Sequence, residues 1–490
     1  MDRYRLNPLQ GEIVRAYTAI GIEEGKFKFT VKSPADEVGS CTDFELGEHA
    51  VKKMKLALKL VFAIIVAAGL ATGSAIAAGP DGAAANTIPP GTQITMQNWN
   101  QYKQFMPDGM VALFQGTYFW KMPPDVEIDV GPTIIHPLPK GYLNATEKYA
   151  SQVKLVELPG GGLTISGYNA GIPFPNPGEP HRGWKILANM WYRYTPRLTV
   201  WTTENSGTDC YQDNYGNISC DHEIFVDRLL RHVTDPGAPM VDPAAGDRAE
   251  SRYGMVIDPE QKKYTAFLSI YYDDLTRLPG SFGFSPARRQ VIQNSPAARC
   301  QQSAGADFTA DDYRYGFGGN IPTFSADFLG TRKILALLDY QAPPSTFPAN
   351  YFMPLGWPKA SWGKWELRDM DILDVRKLAS MAAGYCYGKR VMYIDSLFYA
   401  PLWEELYDND MKLWKIMHLA PQAMEVPGVG IVNNGGAIAE EFWDVQHNHA
   451  TYDSSFDDRG HPPYVNEQVP KAYDDISKYS TSAGLSTIMR

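Results

Sequence analysis

Between residues 153 and 417 the chain spells short apolar runs, most of them closed by Gly, Pro or Asp and not joined by helices of crossover length. Strands in such succession predict antiparallel pairing in a large sheet or open barrel, and exclude a doubly wound parallel fold. The runs are 153–158 and 163–166, flanking Pro159-Gly160-Gly161-Gly162, then 189–193, 198–202, 253–258, 267–272, 365–375, 390–394, 402–407 and 413–417. Asp408-Asn409-Asp410 supplies a tight turn between the last two. Residues 365–372 alternate with one slip at Arg368-Asp369, which predicts a wet face, a dry face and a bulge at the slip. Residues 326–339, with Phe328, Leu329, Leu335 and Leu337, predict a helix instead. Upstream, 94–118 predicts two short amphipathic helices broken at Pro107-Asp108-Gly109, 123–139 a proline-interrupted extended strap, and 145–149 a helical turn. The tail, 440–490, reads as an irregular polar coat.

Met54 opens a second kind of signal. Lys55 and Lys59 precede an apolar core over 60–70, and Ala75-Ile76-Ala77 offers a small-x-small cleavage site, so 54–77 reads as a secretory signal peptide. The strongly apolar part is about a dozen residues, short of the roughly 20 that cross a bilayer. No cysteine follows it, so the lipobox of a lipid-anchored protein is missing. The expectation is a soluble periplasmic protein. Residues 1–53 read as a start-site artefact or a disordered extension, and 78–490 as a single carrier domain. A net charge of −10 without a Lys/Arg cluster argues against nucleic acid. Cys210, Cys220, Cys300 and Cys386 follow the leader; in an oxidising compartment they predict disulfides, with three pairings open. The turn-rich segment between Cys210 and Cys220 favours a local bridge, leaving Cys300 with Cys386.

No nucleophile elbow, phosphate loop or His-Glu-x-x-His pattern is present. His447 and His449, two apart and therefore on one face if the segment is a strand, are the best metal candidates, and with nearby carboxylates they define the rival reading of an exported metal-dependent hydrolase. No cofactor is expected. Asp369, Asp371 and Asp374 read as a solvated sheet face, and Arg288-Arg289 as a surface pair or an anionic head-group site. The tryptophans Trp120, Trp184, Trp191, Trp201, Trp365, Trp403 and Trp414 are either core or the wall of an apolar pocket.

Three segments carry a family resemblance. Asn169-Ala170-Gly171-Ile172-Pro173-Phe174-Pro175, Pro286-Ala287-Arg288-Arg289 and Lys389-Arg390-Val391-Met392-Tyr393-Ile394-Asp395 resemble landmarks of an exported bacterial family, domain of unknown function 1329. That family is similar to the outer-membrane lipoprotein carriers LolA and LolB. The resemblance implies a mainly β fold with accessory helices: a large curved antiparallel sheet, an open half-barrel, closed by helices around a hydrophobic cavity. It further implies a periplasmic carrier of lipid-like or lipoprotein cargo, with an inner-membrane transporter of the resistance-nodulation-division (RND) class and an outer-membrane barrel protein as partners, and no catalytic residue. A third expectation is a structural subunit of such an envelope transport complex.

Overall fold

The computed structural model describes residues 20–23, 26–29, 86–295, 299–302, 305–340, 347–433, 436 and 438–489. The chain divides into two units, Met1–Ala83 and Ala84–Arg490. Of the first, two short antiparallel strands are described, Ile20–Glu23 and Lys26–Phe29. The expected leader, 54–77, lies outside the described residues.

The second unit is built on one unclosed antiparallel sheet of 15 strands with few helices. In chain order its strands are β1 (Leu198–Trp201), β2 (Gly207–Gln212), β3 (Ile218–Leu229), β4 (Arg248–Asp258), β5 (Ala266–Tyr272), β6 (Gly280–Ser285) and β7 (Gln290–Gln293). There follow β8 (Phe324–Leu337), β9 (Trp365–Lys377), β10 (Lys389–Asp395), β11 (Pro401–Tyr407), β12 (Leu413–Pro421), β13 (Ile438–Asp444), β14 (His449–Ser454) and β15 (Tyr464–Val465). Strands β2 to β7 form one meander and β8 to β14 a second, and antiparallel pairing of β2 with β14 fuses them. The two ends of the fused meanders are therefore β7 and β8, neighbours in sequence, with β15 a third edge on the β1 branch. Strand β3 is long enough to pair with β2 along its first half and with β1 along its second, and β1 continues into β15.

Helices are accessory. Lys103–Phe105 ends a pair of 3₁₀ turns, and Pro107 then caps α1 (Asp108–Gln115), so the expected break is a helix start. Gly109 of α1 lies so close to β12 that a Cβ would stand 2.9 Å from Ile416. Helix α2 (Lys140–Tyr149) precedes the hairpin Lys154–Glu157 and Leu163–Ser166, which forms where the glycine run predicted it. Helix α3 (Arg182–Trp191) packs on β8, and α4 (Ile476–Tyr479) and α5 (Ser482–Leu485) pack on β4, β5 and β6.

Several expectations are corrected. Residues 189–193 are not a strand: Trp184, Leu187, Ala188 and Trp191 recur at helical spacing and bury one face of α3, which ends at Trp191. Residues 326–339 are not a helix, because β8 pairs with β9 from Phe324↔Lys377 to Leu337↔Trp365 and its side chains alternate in exposure from 325 to 333. Pairing overrides propensity here and leaves Leu329 59% exposed. The expected bulge at Arg368-Asp369 is absent from β9; the register shift lies opposite, between Phe328 and Gly330. Alternation broke at Arg368 because that guanidinium is buried between Glu366 and Asp395. Of the three aspartates read as a solvated face, Asp369 is exposed beside Lys333, whereas Asp371 is buried and accepts a hydrogen bond from Thr331 Oγ1 at 2.6 Å. The tail after Glu440 is no coat: β13 and β14 lie near the middle of the sheet, buried on both faces, and so lack the alternation that marks a half-wet strand.

Close approach also fixes how α3 sits on the sheet. A Cβ on Gly183 would stand 2.3 Å from the carbonyl oxygen of Ala326, a backbone atom that cannot step aside, whereas Gly178 has nothing within 4 Å. Gly183→Ala should therefore lower stability by about 1–3 kcal/mol in urea unfolding, and Gly178→Ala should leave the midpoint unchanged.

Candidate functional site: a buried ionic face with a cavity

Register assigns each sheet residue to a face. One face gathers Trp365, Trp403 and Trp443, with Trp357 from the preceding connection stacked 5.1 Å from Trp365. His418, fully buried, lies among them, 4.5 Å from the ring of Trp403, with Nδ1 2.7 Å from Glu441 Oε2. This aromatic face is filled core, as the tryptophans Trp365 and Trp403 alone allowed but did not decide.

The other face is ionic. Strand β3 carries Asp221, Glu223, Phe225 and Asp227 at alternate positions, and their partners across the ladders are Asp209 and Arg252. Further along stand Asp453, half-buried, and Glu440, Lys415, Glu404 and Arg390, all buried. Residues 299–323 lie over this face and supply its missing partners. Asp312 binds Arg390, which also binds Glu404, and Tyr387 donates to Asp312 Oδ2 at 2.7 Å. Lys415 donates to the Asp307 carbonyl, and the Asp307 carboxylate accepts from Thr451 Oγ1 at 2.8 Å. Arg314 returns two hydrogen bonds, 2.9 and 2.7 Å, to Glu250 Oε2. The Cys300–Cys386 disulfide ties the same segment to the loop before β10, and Cys210–Cys220 bridges directly opposed residues of β2 and β3, a cross-strand link rather than a loop closure. The segment covering the ionic face is thus irregular chain, where helices were expected.

Coverage is incomplete. Between β2–β6 and the crossover segment remains a cavity of about 360 Å³. Its walls include Phe225, Phe267, Phe308 and Tyr313, with Phe267 edge-on to Tyr313 at 5.4 Å and Phe225 6.1 Å from Phe267. Gly254 makes the floor possible, since a Cβ there would meet the Phe267 ring at 2.3 Å. Asp209 and Glu223 close one wall, and the other polar groups include Arg299, Ser269, Ser281 and Gln302. Burial, then Asp221 and Asp453 nearby, pushes the Glu223 carboxyl up to about 8, and burial pushes Asp453 up to about 6. Asp209 is raised well above the usual range by burial and by Asp453.

The residues singled out from sequence fall elsewhere. Gly171, Ile172, Pro173, Phe174 and Pro175 form an elbow: Gly171 has φ 86°, Ile172 N–H donates to Thr146 Oγ1 at 2.8 Å, and Phe174 exchanges two hydrogen bonds with the Asn189 amide. The elbow clips α2 to α3. Arg288 and Arg289 sit exposed in the turn between β6 and β7, not on a strand. The β10 motif splits between faces: Arg390 joins the ionic network, Tyr393 donates to Glu405 at 3.1 Å, Asp395 receives Arg368 Nε at 2.7 Å, and Lys389 stands 4.2 Å over the Tyr407 ring. His447 lies in a turn, not on a strand, against Asp444 at 2.9 Å, while His449 pairs with Asp307 at 2.7 Å. The two therefore serve different carboxylates, and among the described residues no group of three His, Cys, Asp or Glu is placed to hold a metal ion. Sequence reasoning missed Asp209, Glu223, Phe225 and Phe267. The run Asp221-His222-Glu223-Ile224-Phe225-Val226-Asp227 held the signal, since its acids Asp221, Glu223 and Asp227 all fall at alternate positions, which puts them on one face of a strand.

Residues 93–484 match the family described as Protein of unknown function (DUF1329), and the chain belongs to that family. No curated protein matches it. Among solved structures it is similar to a putative outer membrane lipoprotein-sorting protein domain from Vibrio parahaemolyticus, at 13% identity and TM-score 0.40, over 60% of this chain and 96% of that one. It is also similar to a DUF1329 family protein from Desulfovibrio piger, at 11% identity and TM-score 0.41, over 62% of this chain and 100% of that one. A LolA superfamily protein from Nitrosomonas europaea matches at 12% identity and TM-score 0.32, over 56% and 90% of the two chains.

The ionic face sets a pH dependence. Glu223, Asp453 and Glu404, the last raised to about 7 by burial, hold protons in the folded state that an unfolded chain has already released. His449, raised by its bond to Asp307, acts in the same direction. Groups with raised folded values contribute stability below their unfolded pKa that is lost as pH rises through the folded one. The urea midpoint should therefore fall between pH 5 and pH 8, and Glu223→Gln should flatten that slope.

Proposed function

We propose that this member of the DUF1329 family is a non-catalytic carrier that takes a small amphiphile out of water into the cavity between its sheet and the crossover segment. The observation that carries the reading is the cavity itself: about 360 Å³ walled by Phe225, Phe267, Phe308 and Tyr313, within the roughly 300–1,000 Å³ range of small-molecule sites. Burial of an aliphatic tail contributes about 0.8 kcal/mol per methylene, so a chain of several carbons offsets the ordering cost of binding. A volume at the low end of that range favours a single-chain amphiphile over the lipid anchor of a whole lipoprotein.

The compartment follows from chemistry. Two disulfides belong in an oxidising environment, and the leader pattern at 54–77 directs export. No helix of the described residues is long and apolar enough to cross a membrane. We place the carrier in the periplasm, receiving cargo from an inner-membrane RND-class transporter and passing it to an outer-membrane barrel protein, the route its family resemblance implies.

Filling the cavity tests the reading. Ser269 projects from β5 into it, so Ser269→Trp should weaken binding of a fluorescent twelve-carbon probe at least tenfold while the thermal midpoint is kept. Probe binding unchanged in Ser269→Trp would place the ligand elsewhere and remove the basis of the proposal.

A further inference from the structure

We propose that Asp209 and Glu223 bind the ammonium group of a single-chain primary amine whose tail occupies the aromatic cavity. The inference rests on the carrier reading and specifies its ligand. Three observations place a cation there.

The first is an unanswered acceptor. Asp209 is 5% exposed, lines the cavity, and its Oδ1 is buried without a hydrogen-bond partner. A buried carboxyl oxygen left without a donor is costly, and a ligand N–H reaching it from the cavity would recover that cost. The second is a local excess of acidic groups. Asp209, Glu223, Asp453 and Glu440 sit on adjacent strands of the ionic face. The cations near them are committed elsewhere: Lys262 to Asp221 at 2.7 Å, and Arg252 to Asp227. An arriving ammonium meets a cluster of acids with no cation of its own, and its charge would take the place of the protons those acids hold. The third is the opposite wall. Arg299, the cation lining the cavity, is bound to Asp311 and to the carbonyls of Ala310 at 3.3 Å and Gly318 at 2.7 Å. Its Nε and Nη2 hold the crossover segment and its charge is answered by Asp311, which leaves it a poor partner for a fatty-acid carboxylate.

The aromatic rings suit the same ligand. Lys262 Nζ already lies 5.0 Å over the Tyr211 ring and Arg252 5.1 Å over Tyr313, so the cavity's rings present their negative faces to cations. An alcohol of the same length would gain the tail burial and one hydrogen bond. A carboxylic acid would bring a fifth acid against the four.

The test compares three ligands of one tail length on the full chain: dodecylamine, dodecanol and dodecanoate, each displacing a fluorescent probe at pH 7. The expected result is amine affinity at least tenfold above dodecanol, with dodecanoate weakest. Asp209→Asn and Glu223→Gln should each bring the ratio of amine to dodecanol affinity close to one, and the dodecanol binding that remains reports that the cavity is intact. Equal affinity of amine and alcohol in the unaltered chain, or tighter binding of dodecanoate, would overturn the assignment while leaving the carrier reading standing. Failure of all three ligands to displace the probe would overturn both. The ligand series on the unaltered chain decides the matter even if a variant fails to fold.

Discussion

A sheet face bearing Asp, Glu, Arg and Lys can be buried only if other chain segments bring partners to each charge, because an isolated ionised group in a low-dielectric interior is too costly to keep. Here residues 299–323 bring Asp307, Asp312 and Arg314 to Lys415, Arg390 and Glu250. The rest of the architecture follows from that constraint. Truncating one member of such a pair costs about 3–5 kcal/mol, although the pair as a whole adds little net stability over an apolar substitute. What the network provides is a single seat for the crossover segment: Arg390 reads Asp312 and Glu404 at once, and a shift of one residue along β10 would carry that guanidinium to the aromatic face.

Topology explains why an irregular segment does this covering. Two meanders fused through β2 and β14 leave β7 and β8 as edges, and these are consecutive in the chain. Any connection between them has to traverse the sheet. The shortest route lies over one face, and the Cys300–Cys386 bridge pins it partway. On the opposite face the four tryptophans around His418 close the core with side chains from the strands themselves and from the connection before β9. One face is therefore sealed by aromatic packing, the other by an ionic seat that leaves space where the meander β2–β6 outruns its cover.

That residual space carries the proposed function. A cavity with aromatic walls and an acidic end is not the all-apolar pocket that the family resemblance implies. It is amphiphilic in the same sense as its proposed guest, and its negative end comes from the same alternation of acids on β3 that makes the face ionic.

The local code of the chain determined about half of the sheet, seven of its fifteen strands. Glycine, proline and aspartate punctuation placed the 154–166 hairpin, β10, β11 and the turn at Asp408, because turn chemistry acts within a few residues. Cysteine positions were likewise legible, down to the favoured pairings. The family motifs Gly171–Pro175 and Lys389–Asp395 carried identity, but what they do in space is clip α2 to α3 and bridge the two sheet faces. Only the tertiary structure decided the remainder. Strands β13 and β14 are buried on both sides and show no alternation, β8 takes its conformation from thirteen paired residues of β9, and the cavity joins residues of β2, β3, β5 and the crossover segment that are far apart in sequence. A side chain's exposure and partners are set by contacts at long range, and a linear pattern records them only where one face of an element stays wet.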